Sequence, residues 1–376
     1  MTKRIGIIVN PIAGIGGRVG LKGSDGEEIL AKAISLGAKP ECPSRAGIAI
    51  SQLKEFKKEP LEIITYPDDM GENEVRANGF KPIVIGKIEK GHTTSFDTKN
   101  AAKEMLEMEV NIILFAGGDG TARDILDTVG EKIPVLGIPG GCKIHSAVYA
   151  INPKTAGKLM VEFLQGDVSD LRESEVMDID EDAFRKGMVR AKLYGYMQVP
   201  NEKKMIQNLK SGRSLGATAA LEFVSRYMAD TLENGILYIV GPGSTTRGIM
   251  NKLGLENENT LLGVDLVYNR KLIEKDVNEQ NILKYLEKYE KAKIIITVIG
   301  GQGYLFGRGN QQLSPRVIRK IGKENIIVVA TKDKMLSLFG QPLLVDTGDE
   351  KMNKQLSGYI KIIVGYGDAV MFRVKA

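Results

Sequence analysis

The stretch NIILFAGGDGTARDILDTVG, residues 111–130, constrains the fold more than any other part of the chain. A strand-forming run, Asn111 to Phe115, ends in two glycines, an aspartate, a third glycine and a threonine. An amphipathic helix follows, with Ile125, Leu126 and Val129 on one face. Thr121 is predicted to cap that helix, with Asp124 in the capping-box position, and Gly130 to stop it. A strand whose carboxyl end turns through glycine into a helix is the building unit of α/β sheets, and such sheets bind ligands at that turn.

The unit recurs. RIGIIVN (4–10) enters the loop PIAGIGGRVG, and EEILAKAISLG (27–37) reads as a helix. LEIITYP and KPIVIGK read as strands, and DTKNAAKEMLEM (97–108) as a helix with Asp97 as its cap. IPVLGIPGG (133–141) is a strand and turn that predicts a helix over IHSAVYAI. The apolar runs are uninterrupted, as in parallel strands buried on both faces. From about residue 155 the pattern loosens into a helix, TAGKLMVEFLQG, an acidic stretch, strands through VRAKLYGYMQVP and a helix over 215–232. Two further units follow, ILYIVGPGSTTRGIMNKLG (236–254) and IIITVIGGQGYLFGRGNQQLSPRVIRKIG (294–322), and the tail alternates like a hairpin around Gly365 to Gly367. With 376 residues, 43% of them hydrophobic, the chain can fill two cores. The expected architecture is α/β: an amino-terminal parallel-sheet domain over 1–152 and a second, mixed α/β domain over 153–376. The active site is expected in the cleft between them, and the last strands are free to return to the first domain.

Composition removes several function classes. The net charge of +5 comes from interleaved charges, without the basic block of a nucleic-acid binder. IGIIV (5–9) is too short for a signal-peptide core or a membrane span. Cys42 and Cys142 form no CxxC pair and are expected to be reduced and buried, in a cytoplasmic protein that self-associates as a homo-oligomer. Two histidines, His92 and His145, leave no ligand set for zinc. GIGGRV (14–19) places Val19 where a dinucleotide fingerprint needs its third glycine, and no GxxxxGK[ST] spacing makes a P-loop.

GGDGT (117–121) survives these tests. Its glycines let the backbone approach a ligand and turn N–H groups toward it, and the helix that follows adds its positive end, so a polyphosphate is favoured. Gly117, Gly118, Gly120 and Thr121 are the expected phosphate contacts. Asp119, beside them, suits the acceptor for the proton of a hydroxyl attacking a γ-phosphate, with Mg²⁺ offsetting the crowded charge. No residue is assigned to hold the metal. PGGCKIHS (139–146) offers Gly140, Gly141 and Lys143 as a second cradle, while His145 reads equally as a packed residue or a ligand contact. In GPGSTT (241–246), Gly243, Ser244, Thr245 and Thr246 form either a phosphate turn or plain helix caps. Asn10 touches nucleotide or bonds the turn that Pro11 begins. Arg308, Asn310 and Gln311 in GRGNQQ (307–312) meet a substrate or belong to an ordered surface loop.

GGDGT is the signature of the superfamily that unites NAD kinases, diacylglycerol and sphingosine kinases and phosphofructokinase-like enzymes. IVNPIAGIGG (8–17) is similar to its first-strand motif, and GPGSTT to the Gly-Ser-Thr motif of NAD kinases. The whole chain most resembles the archaeal and bacterial ATP-NAD kinase-like branch related to the acetoin-catabolism protein X, through GGDGTARDI, PGGCKIHSAVYA and GGQGYLFGRGNQQLSP. The resemblance implies ATP or polyphosphate as donor, Mg²⁺ as cofactor and the adenosine 2′-hydroxyl of NAD as acceptor. The alternatives are a kinase for a lipid, polyol or sugar hydroxyl, or an idle nucleotide sensor. Two departures bear on the acceptor. KLYGYMQVP (192–200) lacks the Asn-Glu pair with which NAD kinases grip the dinucleotide, and Thr246-Arg247 replaces their Ala-Tyr.

Overall fold

The computed structural model describes residues 2–21, 27–141, 144–179, 191–202, 205–206, 217–255, 260 and 263–376. The chain divides into two compact units, Met1–Ile15 with Lys39–Leu209 and Gly16–Ala38 with Lys210–Ala376.

In the first unit β1 (Lys3–Val9), β2 (Leu61–Thr65), β3 (Ile83–Val84), β4 (Ile112–Gly117) and β5 (Val135–Pro139) form one parallel sheet in the order β3-β2-β1-β4-β5. Ile5 pairs with Ile63 on one side and Ile112 on the other. Ile7, Ile8, Ile113, Leu114 and Phe115 are fully buried, because helices Cys42–Gln52 and Pro153–Gln165 pack as one pair and Ser95–Glu107 and Asp119–Val129 as another. Strand order reverses between β1 and β4, and a crevice at the carboxyl ends of two such strands is where α/β sheets bind ligands. Asn10 and Gly117 stand at those two ends.

Three elements depart from the sequence expectations. KPIVIGK contributes only the two residues of β3, both exposed on the sheet edge. IHSAVYAI is not a helix: residues 144–150 are buried at every position, which a helix with one apolar face would not be, and Tyr149 and Ala150 make single bridges to Gly137 and Ile206. Helix Cys42–Gln52 escapes prediction because Pro43, Ser44 and Gly47 depress its intrinsic propensity, though a proline suits the first turn. The first unit also runs past the expected boundary at 152. Leu159, Met160 and Leu164 on helix Pro153–Gln165 share one core with Ile5 and Phe115. So do Val176, Met197 and Val199 on the antiparallel ribbon of β6 (Leu171–Ile179) and β7 (Ala191–Pro200).

Glu74, on helix Glu72–Ala77, is half-buried, and its Oε2 meets no donor. Burial pushes its carboxyl from about 4.5 up to about 7. The folded chain therefore keeps a proton that the unfolded chain releases, so stability should fall as pH rises from about 4.5 to about 7 and level off above. Glu74→Gln should flatten that part of the Tm-against-pH curve; an unchanged slope in the variant would place the pH dependence elsewhere.

The second unit holds a nine-stranded mixed sheet. Its strands are β8 (Leu237–Val240), β9 (Asp265–Tyr268), β10 (Lys271–Glu274), β11 (Ala292–Thr297), β12 (Tyr304–Phe306), β13 (Ile326–Val329), β14 (Leu343–Val345), β15 (Gly358–Ile363) and β16 (Ala369–Lys375). Their order is β10-β9-β8-β11-β13-β15-β16-β14-β12, with β8, β11, β13 and β15 parallel. Successive residues face opposite ways: Leu237, Ile239, Ile294, Ile296 and Val328 fill one core, Tyr238, Val240, Ile295 and Val329 the other. The predicted hairpin is β15–β16, closed by the Val364 N–H on the Asp368 carbonyl, and both strands lie in this unit's own sheet. Among the described residues, no helix is long and apolar enough to cross a membrane.

Candidate active site

In the first unit the carboxyl ends of β1, β4 and β5 converge on the GGDGT turn. The Asn10 N–H donates to the Ala116 carbonyl, its Nδ2 donates to Thr121 Oγ1 at 3.0 Å, and its Oδ1 accepts the Ile12 N–H. Asn10 thus both bonds the turn that Pro11 begins and ties β1 to the turn after β4. Gly140 and Gly141 donate their N–H groups to the Gly117 carbonyl at 2.8 and 3.0 Å, drawing the turn after β5 against it. The Tyr149 hydroxyl holds the Gly118 carbonyl at 2.6 Å, and the Arg45 guanidinium the Pro139 carbonyl. Gly14 adopts φ +76°, and a Cβ there would come within 2.1 Å of the Gly140 oxygen, so only glycine lets the first loop close on the third turn. Cys42 lies under Gly140, and burial pushes its thiol up to about 12, which makes it packing and not a nucleophile. Cys142 and Lys143 fall outside the described residues.

The helix begins earlier than predicted. It runs from Asp119 to Val129 with extended Gly118 as its N-cap and no side chain capping it, and Gly130 ends it at φ +54°. Thr121 is therefore inside the first turn, where its hydroxyl accepts from Asn10 and does not cap the helix. The first N–H groups of a helix lack intrahelical acceptors, and here no side chain caps them beside exposed Gly120.

Asp119 is the helix's first residue, yet its carboxylate bonds to residues 145 and 146 and not to those N–H groups. Its Oδ2 accepts the His145 backbone N–H at 2.7 Å and lies 3.0 Å from His145 Nδ1. Its Oδ1 accepts the Ser146 N–H at 3.1 Å and the Ser146 hydroxyl at 2.7 Å. That hydroxyl also accepts the Met177 N–H, linking the clasp to β6. Asp119 and His145 are each 5% exposed. The carboxylate thus meets two backbone N–H groups, the Ser146 hydroxyl, whose one proton the Met177 carbonyl also faces at 2.8 Å, and the His145 ring nitrogen.

In the second unit the turn after β8 leads into helix Ser244–Lys252, again with no side-chain cap. Gly243 has φ +137°, and its approach to Thr297 leaves no room for a Cβ. Ser244 is partly exposed, whereas Thr245 and Thr246 are buried, and the Thr246 hydroxyl donates to the Gly243 carbonyl. Lys334 Nζ donates to Thr245 Oγ1 at 2.8 Å and to Thr297 Oγ1 at 3.0 Å, which sets an ammonium at the carboxyl ends of β8 and β11. Arg308 and Asn310 are buried within the same unit. Arg308 lies 5.0 Å over the Tyr304 ring and 3.7 Å from Asp346 Oδ2. Asn310 bonds its own loop, donating to the Leu305 carbonyl and accepting the Gly307 N–H. Gln311 is only partly covered.

Residues 5–168 match the ATP-NAD kinase N-terminal domain and residues 233–374 the ATP-NAD kinase C-terminal domain. The chain belongs to the ATP-NAD kinase family. No curated protein sequence matches it. Among solved structures it is similar to "a putative diacylglycerol kinase from Bacillus anthracis str. Sterne", at 16% identity and TM-score 0.25, over 47% of this chain and 43% of that one. The UDP-GlcNAc 2-epimerase from Neisseria meningitidis aligns over 93% of this chain and 78% of its own, at 10% identity and TM-score 0.25. Superpositions this loose carry no argument about the ATP-NAD kinase family site.

Within this family member, Asp119 and His145 both fall in the N-terminal match, and Gly243 to Thr246, Arg308 and Lys334 in the C-terminal one. Ser146, Tyr149 and Lys334 escaped the sequence reading. Ser146 was adjacent to a candidate but looked like an ordinary helix residue. Lys334 follows β13 without any glycine motif, and only the strand order brings it beside Thr245. Among the described residues no three His, Cys, Asp or Glu side chains cluster to hold a metal.

Proposed function

We propose that the chain transfers the γ-phosphoryl group of MgATP, or the terminal phosphoryl of polyphosphate, to an alcohol, and that the adenosine 2′-hydroxyl of NAD is the acceptor. The observation that carries this reading is the uncapped, glycine-lined start of helix Asp119–Val129 at the strand-order reversal, in a chain of the ATP-NAD kinase family. The N–H groups of Gly118, Gly120 and Thr121 would hold phosphate, with Gly140, Gly141 and Lys143 proposed as a second cradle and Gly243 to Thr246 as a further phosphate turn. Asp119 and its partners serve the attacking hydroxyl. The protein works on small molecules in the cytoplasm, as a homo-oligomer.

One observation favours a second acceptor class. Arg308 and Asn310, the side chains best suited to a dinucleotide's diphosphate and amide, are committed to Asp346, Tyr304 and their own loop. A kinase for a smaller hydroxyl acceptor needs neither. The deciding experiment is a panel of NAD, NADH, diacylglycerol, inositol, glycerol and simple sugars with labelled ATP. Label on NAD is expected; label on another alcohol would move the acceptor and keep the reaction, and no label anywhere would leave a nucleotide sensor.

A further inference from the structure

The nine-stranded sheet of the second unit is covered unevenly. On one side its core takes residues from across the sheet, among them Leu237, Phe306, Leu343, Ile360 and Val374. On the other side, among the described residues, the buried strand positions lie on β8, β9, β11 and β13, beneath helices Ala217–Thr231 and Ser244–Lys252. Val329 belongs to that second core and pairs with Ile363, so Lys361 and Tyr359, two and four residues back, share its side of the sheet. Their partners across β15–β16, Met371 and Arg373, share it too. Tyr359 is 66% and Met371 61% exposed, and both cations are exposed beside them. An aromatic ring, a thioether and two positive charges thus line an open strip of sheet.

The first unit has a strip of the opposite charge. On the ribbon β6–β7, Val176, Met197 and Val199 turn into the core, so Leu171, Glu173 and Glu175, with Tyr196 opposite Glu175, turn outward. Leu171 and Tyr196 are each 41% exposed, Glu173 is exposed and Glu175 half-buried. Glu175 acts on the half-buried Arg172 of its own strand without pairing with it. Among the described residues, Glu173, Glu175, Lys361 and Arg373 form no ion pair. Contiguous exposed rings and alkyl groups rimmed by unpaired charge mark interaction surfaces, and Tyr, Met and Arg are enriched in their centres.

We propose that the two strips bind each other between copies of this chain, the acidic ribbon of one copy lying on the basic sheet face of the next. The proposal deepens the homo-oligomer reading above and is independent of the phosphoryl-transfer one. Every copy carries one strip of each kind, which is what association between identical chains requires. Either strip set against its own copy would oppose like charges, which costs several kcal/mol, so the favoured contact is ribbon on sheet. The spacing suits it: Glu173 and Glu175 stand about 7 Å apart along one strand, and Lys361 and Arg373 are diagonal neighbours about 7–8 Å apart across a strand pair. Two carboxylates can therefore meet two cations at once, while Leu171 and Tyr196 cover Met371 and Tyr359. The apolar groups supply affinity and the charges supply register.

Sedimentation of the full chain at micromolar concentration tests this with two variants. Glu173→Lys with Glu175→Gln sets like charges across the contact and adds no cation beside Arg172; Lys361→Glu with Arg373→Gln does the same from the other side. The wild type should sediment as an oligomer, and each variant alone should dissociate with Kd raised roughly 10²-fold or more. An equimolar mixture of the two variants should reassemble, because the reversed ribbon of one then meets the reversed face of the other. That recovery also separates a lost contact from a misfolded chain. Variants that stay associated like the wild type, or that dissociate and do not reassemble on mixing, would overturn the assignment of these strips. A monomeric wild type would remove the homo-oligomer reading along with it.

Discussion

Asp119→Asn should lower kcat by roughly 10²–10⁴ while leaving ATP affinity unchanged or slightly improved. The substitution is nearly isosteric, but it replaces one acceptor oxygen by an N–H₂ group in a place where every neighbour is a donor. Oδ2 faces the His145 N–H and ring, and Oδ1 the Ser146 N–H and hydroxyl. Whichever way the amide turns, two donors lose their acceptor. If the amide nitrogen faces His145, it meets the backbone N–H head on, and the short segment at 145–146 loses its hold on the helix start. Leaving a buried donor unpaired costs about 1–3 kcal/mol, so the variant should also melt lower, but it should still fold. In the proposed site phosphate would meet N–H groups from which the carboxylate has turned away, and removing a negative charge near them would not weaken its binding. Turnover, ATP titration and melting measured together separate these effects. Near-full turnover in a folded Asn variant would remove Asp119 from the mechanism.

How much of this was legible in the sequence depends on the range of the interaction involved. The parallel strands β1, β4 and β5 could be read directly, because a strand buried on both faces must be a continuous apolar run, and the glycines that follow mark each turn. The glycine turn after β4 was legible for the same local reason. The start of its helix was misplaced because Thr121 and Asp124 have the local chemistry of a capping box, and it took Asn10, more than a hundred residues away, to claim the Thr121 hydroxyl. The segment 144–150 was misread as a helix because its burial on every side is imposed by β5, by Ile206 and by the Asp119 clasp, none of which is encoded in its own periodicity. The boundary at 152 failed similarly: the ribbon β6–β7 looks independent in sequence, but its inward residues complete the first unit's core. Lys334 was invisible because strand order, not motif, brings β13's carboxyl end near those of β8 and β11.

Arg308→Ala should unfold the second unit more readily before it changes any kinetic constant. As a surface residue in a polar, glycine-rich loop, Arg308 would pair with an acceptor's phosphates, and its loss would raise the acceptor KM and leave melting alone. Its surroundings point the other way. The side chain is 3% exposed, its guanidinium lies over Tyr304, and Asp346, also buried, is the nearby carboxylate. Removing one partner of a buried ion pair leaves the other charge uncompensated and typically costs about 3–5 kcal/mol, or roughly 6–20 °C in Tm for a unit of this size. The double replacement Arg308→Met with Asp346→Leu should recover much of that loss, because the desolvation cost of both charges disappears together. A kinetic role predicts no such recovery: the double variant would stay as poor in acceptor binding as the single one. If Arg308→Ala melts like wild type and only the acceptor KM rises, the guanidinium faces the substrate and the dinucleotide acceptor gains the support that burial now withholds. If melting falls and the double replacement restores it, Arg308 holds the loop after β12 to the strand end after β14, and the acceptor is recognised without it.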